Sequence, residues 1–107
     1  MLLRALSLIV LAGTLVLTPN IANAQKSSDQ DIAKAIIREC LAIYHAERPC
    51  ACPSDLARNG SRCGRRSAYD RPGGAKPRCY VSDVTPEEIS NYRAGKKTFE
   101  AECAPVR

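Results

Sequence analysis

The sequence predicts a small disulfide-rich fold, α or α+β, in which two helices flank an irregular, cysteine-stapled loop region. Three observations carry this expectation. Six cysteines fall in a short chain that is poor in aromatic residues. An apolar stripe recurs at helical spacing between Ser28 and Glu47, and a helix-start signal stands at Thr85-Pro86-Glu87-Glu88. Between those two segments, turn-forming residues replace any periodic pattern.

Residues 1–24 read as an export leader. Met1 to Arg4 gives a short positive start, Leu6 to Leu17 an uncharged apolar run, and Ala22-Asn23-Ala24 the small residues a signal peptidase reads. A membrane anchor needs about 18 apolar residues, and Thr18-Pro19-Asn20 breaks this run too early. No cysteine follows the run closely, which disfavours a lipoprotein. The expected product is one disulfide-stabilised domain over residues 25–107, periplasmic or secreted, without stable membrane insertion.

A domain of that size buries too little apolar surface for its core alone to offset chain entropy. Its aromatics are Tyr44, Tyr69, Tyr80, Tyr92 and Phe99, with no Trp. Cys40, Cys50, Cys52, Cys63, Cys79 and Cys103 form an even set, the pattern of a disulfide framework in an oxidising compartment. Each bridge is worth about 2–4 kcal/mol, which is comparable with the whole stability of a small domain. Cys50 and Cys52 stand too close for an unstrained mutual bridge. The expected pairing joins Cys40 to Cys103 and sends Cys50 and Cys52 to Cys63 and Cys79, in either order. Zinc would favour C-x(2–4)-C knuckles, and thioredoxin-type redox chemistry a C-x-x-C motif. The spacing here is C-x-C followed by isolated cysteines, so neither a metal nor a cofactor is expected.

The first element is a helix from Ser28 to about Glu47. Ile32, Ile36, Cys40 and Tyr44 recur every four residues, beside Ala33, Ile37 and Leu41. Ser27 or Ser28 serves as cap, Asp29 and Asp31 favour the positive end of the helix dipole, and Pro49 stops the helix. The middle, Arg48 to Arg78, is punctuated by Pro53, Asn59-Gly60, Gly64, Pro72-Gly73-Gly74 and Pro77. Short strands are expected around Ser67 to Tyr69 and Arg78 to Val81. The second helix starts at Thr85 with Pro86 at its first position, Glu88 completing a capping box and Val84 and Ile89 spaced for a hydrophobic staple. It should run to about Ala94 and end at Gly95. Lys96 to Cys103 reads equally as a helical turn or a return strand.

Charge is distributed unevenly along the chain. Segment 48–78 carries eight basic residues against two acidic ones, a net +6, while the segments on either side each sum to −1. The stretch Arg62-Cys63-Gly64-Arg65-Arg66-Ser67, continued by Tyr69, Arg71 and Gly73-Gly74, is therefore the candidate site. Guanidinium forks match phosphate and carboxylate geometry, and glycines let backbone N–H groups approach an anion. Arg62, Arg65, Arg66, Arg71, Gly73 and Gly74 are the expected anion-binding residues, with nucleic acid, lipid phosphate or acidic glycan as partner classes. The competing reading is a solvated basic face in which Arg65 or Arg71 pairs locally with Asp55, Asp70 or Asp83.

His45 is the single histidine and sits at the end of the first helix, where the dipole favours it. A hydrolase would need His45 brought to a nucleophile by the fold, with Ser67 or Tyr69 as the candidates. Glu87-Glu88 and Glu100/Glu102 read as cap and surface charges, since adjacency gives no environmental contrast to split two carboxyl pKa values. No set of catalytic residues stands out.

The stretch CACPSDLARNGSRCGRRSAYDRPGGAKPRCYVSDV, residues 50–84, resembles a segment of small exported bacterial proteins of the general form CxCP…NGxxCGxRSAYxRPGG…CY. The resemblance implies a bacterial periplasmic or secreted home and carries no activity or residue role with it. The leading functional expectation is a non-catalytic binding or interaction module with a basic Arg/Gly-rich loop. The alternatives are a small secreted hydrolase and a structural accessory protein of the cell envelope.

Overall fold

A computed structural model describes residues 12–15 and 27–106. The leader expected over residues 1–24 lies outside the described residues except for 12–15, and no described helix is long and apolar enough to cross a membrane.

Helix α1 spans Asp29–His45 and is the spine of the domain. Ser28 caps it, its hydroxyl accepting from the Asp31 N–H at 3.1 Å. Of the expected stripe, Ile36, Cys40 and Tyr44 are buried and Ile32 is partly buried, with Ala33 taking the fully buried place beside it. Two short helices close on this face, α2 at Pro86–Arg93 and α3 at Glu100–Cys103. The second half of the chain thus adds a helical turn at 100–103, and no return strand forms there. Phe99 is essentially inaccessible and stacks beside Tyr92 with ring centroids 6.5 Å apart. Together with Val84, Ile36 and the Cys40–Cys103 bridge they form one core cluster, against which Ile89 packs. Truncating Ile36 or Phe99 to Ala in so small a core costs about 3 kcal/mol or more.

Both ends of α2 follow their sequence signals, with one difference. Thr85 Oγ1 accepts from the Glu88 N–H at 3.1 Å, and Val84 and Ile89 lie in the same apolar cluster, as a staple requires. The Glu88 carboxylate turns away from the cap and instead binds Arg78. The far end closes as a Schellman motif: Gly95 N–H reaches Tyr92 O at 3.0 Å and Lys96 N–H reaches Asn91 O at 2.8 Å, with Gly95 at φ +80°.

The three bridges are Cys40–Cys103, Cys50–Cys63 and Cys52–Cys79, and no cysteine is free. The fold is therefore a small disulfide-rich helical one, and among the described residues no strand is present. Disulfides of this kind are consistent with an oxidising environment.

The two short strands expected in the middle segment do not form. Ala68 and Tyr69 donate their N–H groups to Cys50 O and Ala51 O, but the chain turns at once, with Arg71 N–H returning to Ser67 O. At the second location Asp83 accepts from the N–H groups of Cys79 and Tyr80 at 2.9 and 2.8 Å, curling 81–83 into a 3-10 turn. A backbone turn ends the first segment, and at the second side-chain capping by Asp83 outcompetes strand pairing. What remains of β structure is an isolated antiparallel bridge between Leu56 and Arg62.

A second core cluster lies under this loop region: Tyr44, Ala51, Cys52, Ala68 and Ala75, with Leu41 and Cys79 against it. At its centre, Cys50-Ala51-Cys52 acts as an anvil. Its two cysteines are bridged outward, and the Cys50 and Ala51 carbonyls accept from the N–H groups of residues 68 and 69. The Ala51 and Cys52 N–H groups are both held by the Asp55 carboxylate, at 3.0 and 2.8 Å.

Candidate functional site

The segment 71–78 crosses the loop region as a strap tied at both ends. Before it, Ala68 and Tyr69 are bonded to the anvil; after it, the Cys52–Cys79 bridge returns to the same tripeptide. Between these anchors, Lys76 N–H donates to Glu102 O at 2.7 Å and Arg78 N–H to Cys40 Sγ at 3.1 Å. Pro72 stiffens the strap and Gly73, at φ +77°, takes a turn that a side chain would oppose. The strap is exposed at its crest, and two clefts run along it.

The smaller cleft has a volume of about 190 Å³ and is lined by Arg48, Arg66, Arg71, Gly73 and Gly74 over Tyr44 and Ala75. No Asp or Glu lines it among the described residues. Arg66 is held in place through neutral acceptors: its Nη2 donates to Ser61 Oγ at 2.9 Å and to Arg62 O at 3.0 Å. Arg48 similarly donates to Val106 O at 3.3 Å. These bonds fix two guanidinium groups without neutralising them, which leaves their charge available to a ligand.

The larger cleft, about 450 Å³, adjoins the first along Arg71, Gly73, Gly74 and Ala75. It adds Tyr69, Lys76 and Pro77, and its far side carries Asp83, Glu88 and Glu102. Those carboxylates are largely engaged within the fold. Asp83 accepts from Tyr69 OH at 2.8 Å and from two backbone N–H groups. Glu88 and Glu102 both pair with Arg78. The hydrogen bond to Asp83 raises the Tyr69 pKa, because the phenol must keep its proton to donate. Arg78 is held charged even above the usual guanidinium range, chiefly by Glu88, with burial opposing.

The fold thus sorts the expected site residues. Arg66, Arg71, Gly73 and Gly74 come together in the smaller cleft, whereas Arg62 and Arg65 line neither cleft. Arg78 leaves the basic face altogether as a buried clamp between α2 and α3. Arg48, Tyr44 and Lys76 join the clefts unannounced. Their only sequence signal was the charge count over 48–78, for Arg48 and Lys76. The local pairing considered for Arg65 and Arg71 with Asp55, Asp70 or Asp83 is not formed among the described residues; Asp55 is bound to His45 and the anvil, and Asp83 to Tyr69 and the 3-10 turn.

His45 Nε2 donates to Asp55 Oδ2 at 2.8 Å, so the imidazole braces the loop that carries the anvil. No hydrogen bond joins it to Ser67 or Tyr69. Ser67 is wholly buried and its hydroxyl finds no partner, while the Tyr69 hydroxyl is committed to Asp83. Among the described residues no group of His, Cys, Asp or Glu is placed to hold a metal ion. Comparison with protein-family models, with curated proteins and with solved structures finds no match, so the site is read from its own geometry.

Proposed function

We propose that this is a non-catalytic binding module, exported to the periplasm or beyond, whose strap of residues 71–78 presents an anion-binding cleft. The observation that carries the reading is the convergence of Arg48, Arg66 and Arg71 on a cleft of about 190 Å³ with no lining carboxylate. Guanidinium forks recognise phosphate, sulfate and carboxylate groups bidentately. Gly73 and Gly74 leave the strap backbone open to close approach by such a group. The disulfide at Cys52–Cys79 and the backbone bonds at 68–69 restrain the strap before any ligand arrives, which lowers the ordering cost of binding.

The test is a titration of the oxidised protein with inorganic phosphate, sulfate and glucuronate, followed by amide chemical shifts. Saturable shifts confined to the strap and to the neighbourhood of Arg48 and Arg66 are expected. Shifts spread evenly over all exposed basic residues, without saturation, contradict the proposal.

A further inference from the structure

We infer that the anionic partner is an acidic glycan, its charged group in the smaller cleft and an adjoining neutral sugar in the larger one. The inference rests on the anion-binding reading and goes further by naming the ligand. Its basis is the difference between two clefts that share Arg71 and the Gly73-Gly74 crest. The smaller is lined by three arginines and no acid, and suits one concentrated negative charge. The larger also holds an exposed tyrosine, two prolines and three carboxylates. A sugar ring has this dual character, with an apolar face to lie on the exposed Tyr69 ring and hydroxyl groups to donate to carboxylate oxygens.

The carboxylates retain room for such donors. Asp83 Oδ1 receives only the Tyr69 hydroxyl, and Glu102 engages Arg78 through Oε2 while its side chain is 53% exposed. Tyr69 itself is positioned rather than free: its hydroxyl is fixed by Asp83 and its ring meets Tyr80 edge to face, centroids 5.5 Å apart. The same carboxylates weigh against a nucleic-acid strand, which carries a charge on every unit and would bring its next phosphate toward Asp83 and Glu102. The exposed apolar surface at the clefts is mainly aromatic, Tyr69 against Tyr80 at the larger one with Val106 alone at the smaller, which suits a sugar ring better than lipid chains.

The experiment is calorimetric titration of the oxidised full chain with four probes: free glucuronate, hyaluronan oligosaccharides, polygalacturonate oligomers and single-stranded oligodeoxynucleotides of matched charge. Hyaluronan, which alternates an acidic with a neutral sugar, should bind about tenfold or more tighter than glucuronate, a gain of one decade in Kd. Tyr69→Ala should remove that gain while leaving glucuronate affinity unchanged, and Tyr69→Phe, which keeps the ring, should retain most of it. The wild-type comparison stands even if Tyr69→Ala fails to fold. Oligonucleotide binding at least as tight as hyaluronan, or hyaluronan no better than glucuronate, overturns the glycan assignment and leaves the anion cleft standing, while polygalacturonate binding at least as tight as hyaluronan overturns the neutral-sugar subsite. Binding of none of the four probes overturns both.

Discussion

The guanidinium of Arg78 is locked fork to fork on the carboxylate of Glu88, its Nε 3.3 Å from Oε2 and its Nη2 bonded to Oε1. Both side chains are largely buried, and Glu102 closes on the same guanidinium at 3.0 Å. One arginine therefore joins the strap to α2 and to α3. Removing the Arg78 charge leaves Glu88 partly buried and unpaired, which costs far more than losing a surface ion pair.

Arg78→Met is accordingly expected to destabilise the domain by about 3 kcal/mol in denaturant unfolding, with Glu88→Leu restoring part of the loss in the double variant. Arg78→Met with a loss below about 0.5 kcal/mol would show that the clamp is decorative.

The bridges should rank by the length of chain they close. Cys40–Cys103, Cys52–Cys79 and Cys50–Cys63 span 63, 27 and 13 positions. The chain-entropy relation gives about 4.3, 3.6 and 3.0 kcal/mol for them. Pairwise replacement by Ala should lower stability in that order, read from urea midpoints at constant slope. Retention of native circular dichroism after all three are reduced would contradict the dependence of this small core on its staples.

Tyr69 supplies the pH prediction. Its pKa is raised in the folded state, so the neutral phenol is the form that favours folding. Its contribution is complete below the ordinary tyrosine value of about 10 and is lost as pH rises through the higher folded value. Tyrosinate absorbance should show Tyr69 ionising after an unperturbed tyrosine, and Tyr69→Phe should remove that late step. A late step that survives in Tyr69→Phe assigns it to another tyrosine.

Much of the helical frame was legible in the sequence because its signals are local. Ser28, Pro86 and Gly95 each act within one turn of chain, and the four-residue recurrence through Ile36 and Cys40 describes the buried face of α1 well. The pairing of Cys40 with Cys103 followed from the same frame. The loop region was less legible because its hydrogen bonds are made by side chains and by distant backbone. Asp55 and Asp83 each reach back three or four residues to N–H groups, Asp55 fixing Ala51 and Cys52 and Asp83 curling the expected strand at 78–81, a pattern visible in the spacing of Asp55 from Cys52 and of Asp83 from Tyr80. Arg78 is indistinguishable by composition from its basic neighbours, and its partners lie 10 and 24 residues away. Arg48 enters the cleft only because chain closure through the disulfides brings the end of α1 against the strap. Of the expected anion site, Arg66, Arg71, Gly73 and Gly74 were in reach of sequence reasoning, while the exclusion of Arg62 and Arg65 needed the fold.

The central claim, that position within the cleft and not total charge makes the binding site, is tested most directly by two charge-matched double variants. Arg66→Ala with Arg71→Ala removes two cleft cations, whereas Arg58→Ala with Arg65→Ala removes two exposed cations that line neither cleft. Affinity for glucuronate, measured by calorimetry over a range of salt concentrations, should fall about tenfold or more in the first variant and lose most of its salt dependence. The second should bind like the parent. Equal losses in the two variants would mean that the ligand responds only to net charge, and the cleft would then be no more than part of a solvated basic face.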